Sequence, residues 1–158
     1  PVCIGLLLIF MWFLGRNPMD RTTHQFCVLK ALISLGFANL SILILNQHIF
    51  RERPFMDLDV TVLFYHPTDS SFPANPAAVA FSVAMSVWRT DKKIGALIWG
   101  LAILWSLCRV YAGVFYPTDI LAGAFIGIAM SFVVSWIFHG LEPLPSRVIN
   151  VLRRFYVA

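Results

Sequence analysis

Long apolar runs alternate along this chain with short clusters of charged residues. The runs cover residues 1–15, 31–45, 72–88, 94–115 and 117–138. Crossing the hydrocarbon layer of a membrane as a helix takes about 20 residues, and each run approaches that length alone or with its neighbouring residues. The pattern therefore predicts an all-α fold, a polytopic membrane protein with about five transmembrane helices.

A soluble protein with five buried core helices is the alternative explanation of these runs. The chain is 59% apolar and 13% charged, whereas a soluble domain carries roughly a quarter charged residues. It also has too little amphipathic helix to cover such a core. We therefore favour the membrane protein.

The chain is predicted to have two parts. Residues 1–141 form the transmembrane bundle, and residues 142–158 mix apolar and basic positions at helical spacing. The second part predicts a short amphipathic helix on the cytoplasmic membrane surface, with a frayed tail as the alternative. The sequence opens on Pro1 rather than Met and shows no cleavable signal peptide, so a further helix before Pro1 stays open.

Basic residues are divided unevenly between the loops. If five helices cross, one side of the membrane receives eight of them, Arg16, Arg21, Arg89, Lys92, Lys93, Arg147, Arg153 and Arg154. The other side receives only Arg51 and Arg53. Basic loops stay in the cytoplasm, so we predict a cytoplasmic C-terminus and an outward-facing loop over residues 51–71 in a bacterial-type plasma membrane. This topology and contact with anionic membrane lipids explain the net charge of +4 without a nucleic acid partner.

Cysteine and histidine give no sign of a metal site or a cofactor. Cys3, Cys27 and Cys108 lie in or beside apolar runs, and an odd number without local pairing gives no disulfide framework. The four histidines are scattered over both predicted sides, at spacings unlike those of zinc ligands.

Three stretches converge on the predicted outer side. They are Asn46–Pro54, Ser71–Pro76 and Cys108–Asp119. Four stretches carry a resemblance to a known family: Arg53-Pro54-Phe55, Ser70-Ser71-Phe72-Pro73, Arg109-Val110-Tyr111-Ala112-Gly113-Val114 and Tyr116-Pro117-Thr118-Asp119-Ile120-Leu121-Ala122-Gly123. In these stretches the chain resembles the type-2 phosphatidic acid phosphatase superfamily. The likeness is greatest to its short bacterial members that act on undecaprenyl diphosphate. It covers nearly the whole chain, whose helices would be the last five of the family's six.

The resemblance implies phosphate ester hydrolysis through a phosphohistidine. The family signature is Lys, six residues, Arg-Pro; then Pro-Ser-Gly-His; then Ser-Arg, five residues, His, three residues, Asp. The last His attacks phosphorus and the Asp orients it, while the first His protonates the leaving group. The Lys, both Arg residues and the Ser-Gly backbone hold the phosphate, whose transfer needs fixed positive charge and hydrogen-bond donors.

Several positions of this chain depart from the signature. Arg53, Pro54, Pro73, Arg109 and Asp119 match it. The altered positions are Asn46 for Lys, Ala74, Asn75 and Pro76 for Ser, Gly and His, Cys108 for Ser, and Phe115 for the nucleophilic His. Phe115 cannot attack phosphorus and Pro76 cannot donate a proton. The departures predict a natural pseudoenzyme without catalytic residues.

Arg53, Arg109 and Asp119 then remain, with two interpretations. They form a possible anion-binding site, or, in the alternative that we favour, Asp119 neutralises one or both arginines as a structural ion cluster, since charges near a membrane are normally paired. Cys108 would rescue catalysis only as a stabilised thiolate, and is otherwise an inert small hydrophobe. His66 lies in the outer loop with nothing to place it near the site.

Three functions follow from this interpretation. We favour a non-catalytic accessory or structural subunit of a membrane protein complex, with a membrane-protein partner. The first alternative is a binder or sensor of polyprenyl or glycerolipid phosphate that does not hydrolyse it. The second alternative is a residual lipid phosphate phosphatase.

Overall fold

The fold is a bundle of helices. A computed structural model describes residues 2–14, 18–57 and 70–140, and no strand occurs among them. Its helices are α1 (Val2–Phe13), α2 (Pro18–His48), α3 (Pro54–Asp57), α4 (Asn75–Trp88), α5 (Lys92–Tyr111) and α6 (Pro117–Gly140). Each predicted apolar run overlaps one of the five longer helices, which confirms the predicted all-α fold. The predicted tail over residues 142–158 lies outside the described residues.

Three helices are long and apolar enough to cross a membrane. They are α2, α5 and α6, with 30, 20 and 24 residues in the candidate spans. Helices α1 and α4 are apolar but shorter, with 12 and 14 residues. The chain is a multi-pass membrane protein, as the apolar pattern predicts. Large apolar side chains that face away from the bundle agree with this, since Phe125 is 75% exposed and Leu121 is 69% exposed.

Helix α4 lies at the centre of the bundle, against α2, α5 and α6. Its side chains are mostly small and buried, with Ala77, Ala78 and Ala84 at 1% exposure or less. Two glycines of α6 let the helices approach closely, because a Cβ at Gly123 or Gly127 would overlap carbonyl oxygens of Ala74 or Ala78. Small residues at a helix contact are the usual means of close packing in a membrane.

The ends of α5 are fixed by local hydrogen bonds. At its start, the Asp91 side chain accepts hydrogen bonds from the backbone N–H groups of Lys93 (2.8 Å) and Ile94 (3.1 Å), an N-cap. At its other end, Gly113 has φ 69°. Gly113 N donates to Val110 O and the next backbone N–H to Arg109 O, which is a Schellman motif. This left-handed glycine turns the chain back toward α6.

The two ends of the bundle have different components. At one end α2 and α5 finish and α4 and α6 begin; we call it the signature end because it carries residues 51–54, 70–76 and 108–119. The opposite end carries the turn between α4 and α5, residues 89–91, and we call it the turn end.

Candidate functional site

Backbone hydrogen bonds bring three distant segments together at the signature end. Ser71 N donates to Arg51 O (2.9 Å), and Ala74 N donates to Asp119 O (3.0 Å). The Ser70 hydroxyl accepts from Arg51 N at 3.1 Å. The extended stretch before α4 is therefore held between the end of α2 and the start of α6.

Asp119 is the centre of a buried polar cluster. Its side chain is 0% exposed, in the first turn of α6, where a negative charge interacts favourably with the helix dipole. Oδ1 lies 2.6 Å from an Arg51 guanidinium nitrogen, and Oδ2 accepts a hydrogen bond from Ser71 Oγ at 2.5 Å. The Arg51 guanidinium also lies 4.2 Å from the centre of the Tyr116 ring. Arg51 therefore neutralises Asp119 and connects two segments.

Arg51 and Ser71 were not among the site residues expected from the sequence. The alternative in which Asp119 neutralises an arginine considered Arg53 and Arg109, whereas the ion pair in the structure forms with Arg51. A signal was available, because Arg51 lies two residues before Arg53, and alternate residues of an extended segment point the same way.

The two signature arginines lie against aromatic rings. Arg53 is 4% exposed, its guanidinium lies 4.4 Å from the centre of the Phe115 ring, and it donates to Val114 O at 3.2 Å. The Arg109 guanidinium lies 4.8 Å from the Trp105 ring. Phe115, at the position of the family's nucleophile, thus faces Arg53 with the electron-rich surface of an aromatic ring.

These arginines line a pocket of about 440 Å³. Its walls are Ile4, Gly5, Leu8, Leu32, Leu35, Arg53, Asn75, Pro76, Val79, Ala80, Val83, Trp105, Arg109 and Phe115. Two cations therefore share one cavity with walls of aliphatic side chains. That combination suits a molecule with an anionic head and an apolar tail.

The other departures from the signature take different positions. Asn75 Nδ2 donates to Asn39 Oδ1 at 2.9 Å, while Asn75 Oδ1 is shielded from solvent without a hydrogen-bond partner. Ala74 is fully buried as the N-cap of α4 and makes no side-chain cap. Asn46 Oδ1 is also buried without a partner. Cys108 is exposed on α5 and does not line the pocket.

The site offers little to a metal. Among residues 2–14, 18–57 and 70–140, no group of three or more His, Cys, Asp or Glu side chains is arranged to hold an ion. His66 lies outside the described residues.

Comparisons with known proteins agree on one family. The family model described as the PAP2 superfamily, the type-2 phosphatidic acid phosphatases, matches residues 27–142. The chain is 31% identical to the bacitracin transport permease protein BcrC of Bacillus licheniformis over 86% of this chain and 70% of that protein. It is 25% identical to the undecaprenyl-diphosphatase BcrC of Bacillus subtilis over 95% of this chain and 75% of that protein.

Two solved structures share the fold. LpxE of Aquifex aeolicus superposes with a TM-score of 0.64 at 24% identity, covering 85% of this chain and 86% of that one. A PAP2-type phosphatidylglycerolphosphate phosphatase of Bacillus subtilis superposes with a TM-score of 0.61 at 24% identity, covering 90% and 70%.

These comparisons correct two predictions. The predictions of a non-catalytic accessory subunit and of a pseudoenzyme are both wrong. Relatives whose similarity extends over most of this chain are named as undecaprenyl-diphosphatases. Nothing in the comparisons supports a membrane-protein partner. The assignment of Asn46, Ala74, Asn75, Pro76, Cys108 and Phe115 as degenerate catalytic positions stays a prediction. The fold, the signature-end residues and the match over residues 27–142 agree, and the chain belongs to the PAP2 superfamily.

Proposed function

We propose that this chain is a lipid phosphate phosphatase of low turnover that acts on a polyprenyl diphosphate such as undecaprenyl diphosphate. The observation that carries the proposal is the pocket that Arg53 and Arg109 share with aliphatic walls. The arginines would hold the phosphate groups, and the walls would hold the first part of the apolar tail. The names of the relatives support the same substrate class.

The arginines also supply the main catalytic effect that the pocket can provide. Phosphoryl transfer spreads negative charge over the oxygens of the transferred group, and fixed positive charge in a water-poor site stabilises that state. Arg53 is held in place by Val114 O and the Phe115 ring. It is therefore oriented before the lipid binds, so little reorganisation opposes the reaction.

The attacking group in this proposal is water. The described lining residues carry no imidazole, thiol or hydroxyl group. A water oxygen would form the new bond to phosphorus as the bond to the leaving phosphate oxygen breaks, and its proton would pass to a phosphate oxygen.

A low rate follows from this chemistry. Loss of a nucleophile from a catalytic unit costs on the order of a millionfold in turnover. Binding and charge stabilisation alone retain on the order of 10³–10⁴-fold over the uncatalysed reaction. We expect phosphate release within that residual range.

Purified protein in an uncharged detergent should release phosphate from undecaprenyl diphosphate above the rate without protein. Arg109→Gln should abolish the release, whereas Arg21→Gln, which removes an exposed charge at the opposite end, should leave it unchanged. Pro76→His combined with Phe115→His should raise turnover by restoring both imidazole positions. Lipid binding without any release would refute the phosphatase.

We also propose that the signature end faces the outside of a bacterial-type plasma membrane. The support is the excess of basic residues in the loops of the other side. Single cysteines introduced near Thr118 and near Thr90, in a background without Cys3 and Cys108, should differ in whole cells. A membrane-impermeant maleimide should label the first and not the second, and the reverse pattern would overturn the orientation.

A further inference from the structure

A second groove lies at the turn end, away from the signature-end pocket. Helix α4 has 14 residues and α6 has 24, lengths of about 21 and 36 Å. The turn after α4 therefore stops short of the end of α6 and leaves a groove of about 620 Å³. Its lining residues are Lys30, Arg89, Phe132, Ser135, Trp136 and His139.

A smaller recess of about 160 Å³ adjoins the groove. It shares Lys30, Arg89 and Ser135 with the groove, and is also lined by Ser86, Thr90 and Ser131. The hydroxyls of Ser86 and Ser131 are buried, 2.9 Å apart. Two cations and several hydroxyl groups thus surround one small space, which is the donor set that phosphate oxygens require.

The two cations have no carboxylate partner in the described part of the chain. Lys30 Nζ lies 5.7 Å from the centre of the Phe138 ring, and the Arg89 guanidinium lies 5.0 Å from that of Phe132. The carboxylate of Asp91 caps α5 and lies 3.9 Å from His24 Nε2. Lys30 is half-buried inside a candidate membrane span, where an unpaired charge is costly. A bound anion would offset that cost.

We propose that the groove and recess bind the phosphate group of an anionic membrane lipid. The phosphate oxygens lie in the recess between Lys30 and Arg89, with the hydroxyls of Thr90 and Ser135 as further donors. The acyl chains follow the aromatic wall outside it, where Trp136 is 79% exposed. The apolar wall gives a lipid an advantage over a soluble phosphate of the same headgroup chemistry.

Binding of dioleoyl phosphatidylglycerol to the purified protein in an uncharged detergent tests this site, with sn-glycerol 3-phosphate as the soluble arm. Lys30→Gln combined with Arg89→Gln should weaken lipid binding by about tenfold or more, because each removes a charge-assisted hydrogen bond. Lys92→Gln combined with Lys93→Gln removes the same charge from exposed residues of the turn end and should leave the affinity within about twofold.

If both double variants lost the same affinity for the lipid, general surface charge would explain the binding and the proposed site would be overturned. Binding of glycerol 3-phosphate as tight as that of the lipid would overturn the assignment to a lipid. Arg89→Gln alone alters an exposed residue, so the variant should fold. It should bind the lipid several-fold more weakly than the unaltered protein does. Lipid binding that is unchanged by Lys30→Gln combined with Arg89→Gln would place the lipid elsewhere on the protein and overturn the site.

Discussion

Replacing Ser71 by Ala removes one hydrogen-bond donor from a carboxylate without access to solvent. Ser71 and Asp119 are both 0% exposed, and their oxygens are 2.5 Å apart. A hydrogen bond to a charged group contributes about 1.5–3 kcal/mol to stability. Water cannot replace the lost donor, so we expect Ser71→Ala to lower the free energy of unfolding by that amount. For a chain of this size, the melting temperature should fall by roughly 3–12 °C.

The assay is thermal unfolding in an uncharged detergent, followed by circular dichroism. Ser41→Ala is the matched control, because Ser41 Oγ donates to Phe37 O (2.8 Å) within α2. That bond is between neutral groups, and Ala favours a helix more than Ser does, so the control should lower the free energy of unfolding by less than about 0.5 kcal/mol.

A double-mutant cycle isolates the contact itself. In the background of Asp119→Asn the acceptor is no longer charged, so Ser71→Ala should cost less than it does in the native chain, by about 1 kcal/mol or more. Equal costs of Ser71→Ala in both backgrounds, or a cost no larger than that of Ser41→Ala, would refute the argument that Asp119 anchors the signature end through Ser71.

Three further substitutions test the bundle by the same thermal assay. Gly127→Ala should destabilise the protein by about 1–3 kcal/mol, because its Cβ would overlap Ala78 O. Gly36 has open space around it, so Gly36→Ala should be neutral or stabilising. Equal effects of the two substitutions would contradict close packing of α4 against α6. Asp91→Ala should cost about 1 kcal/mol by removing the α5 cap, and Asp91→Ser should recover most of it. Gly113→Ala should cost about 1–2 kcal/mol, since φ is 69° there; no loss would mean that this turn is not needed.

The helices were predictable because a membrane requires long apolar runs. The length of an apolar run does not show at which residue its helix begins. The run that begins at Phe72 forms a helix only from Asn75 onward, because Pro73 and Pro76 restrict the backbone before them and only the first turn of a helix tolerates Pro. The predicted third crossing is therefore a shorter helix preceded by an extended segment.

The candidate site was predictable from the signature residues but their contacts were not. Arg53 and Phe115 are far apart in the sequence, and their ring contact depends on the Schellman turn that follows α5. The ion pair of Arg51 with Asp119 likewise depends on the path of the extended stretch before α4, which lies between the end of α2 and the start of α6. The sequence pattern contains neither path, and it gave no sign of the groove at the turn end.

The short length of α4 accounts for both candidate sites. A helix of about 21 Å at the centre of a bundle cannot fill a hydrocarbon layer about 30 Å thick. Irregular backbone must then lie at membrane depth, which is tolerated only where protein covers it. At the signature end the backbone carbonyls of Arg51 and Asp119 accept hydrogen bonds from that backbone. At the turn end the N–H groups of Thr90 and Asp91 donate to Val87 O. The longer helices around α4 leave a recess at each end, and arginine lies in both, which is why we propose a charged lipid headgroup at each.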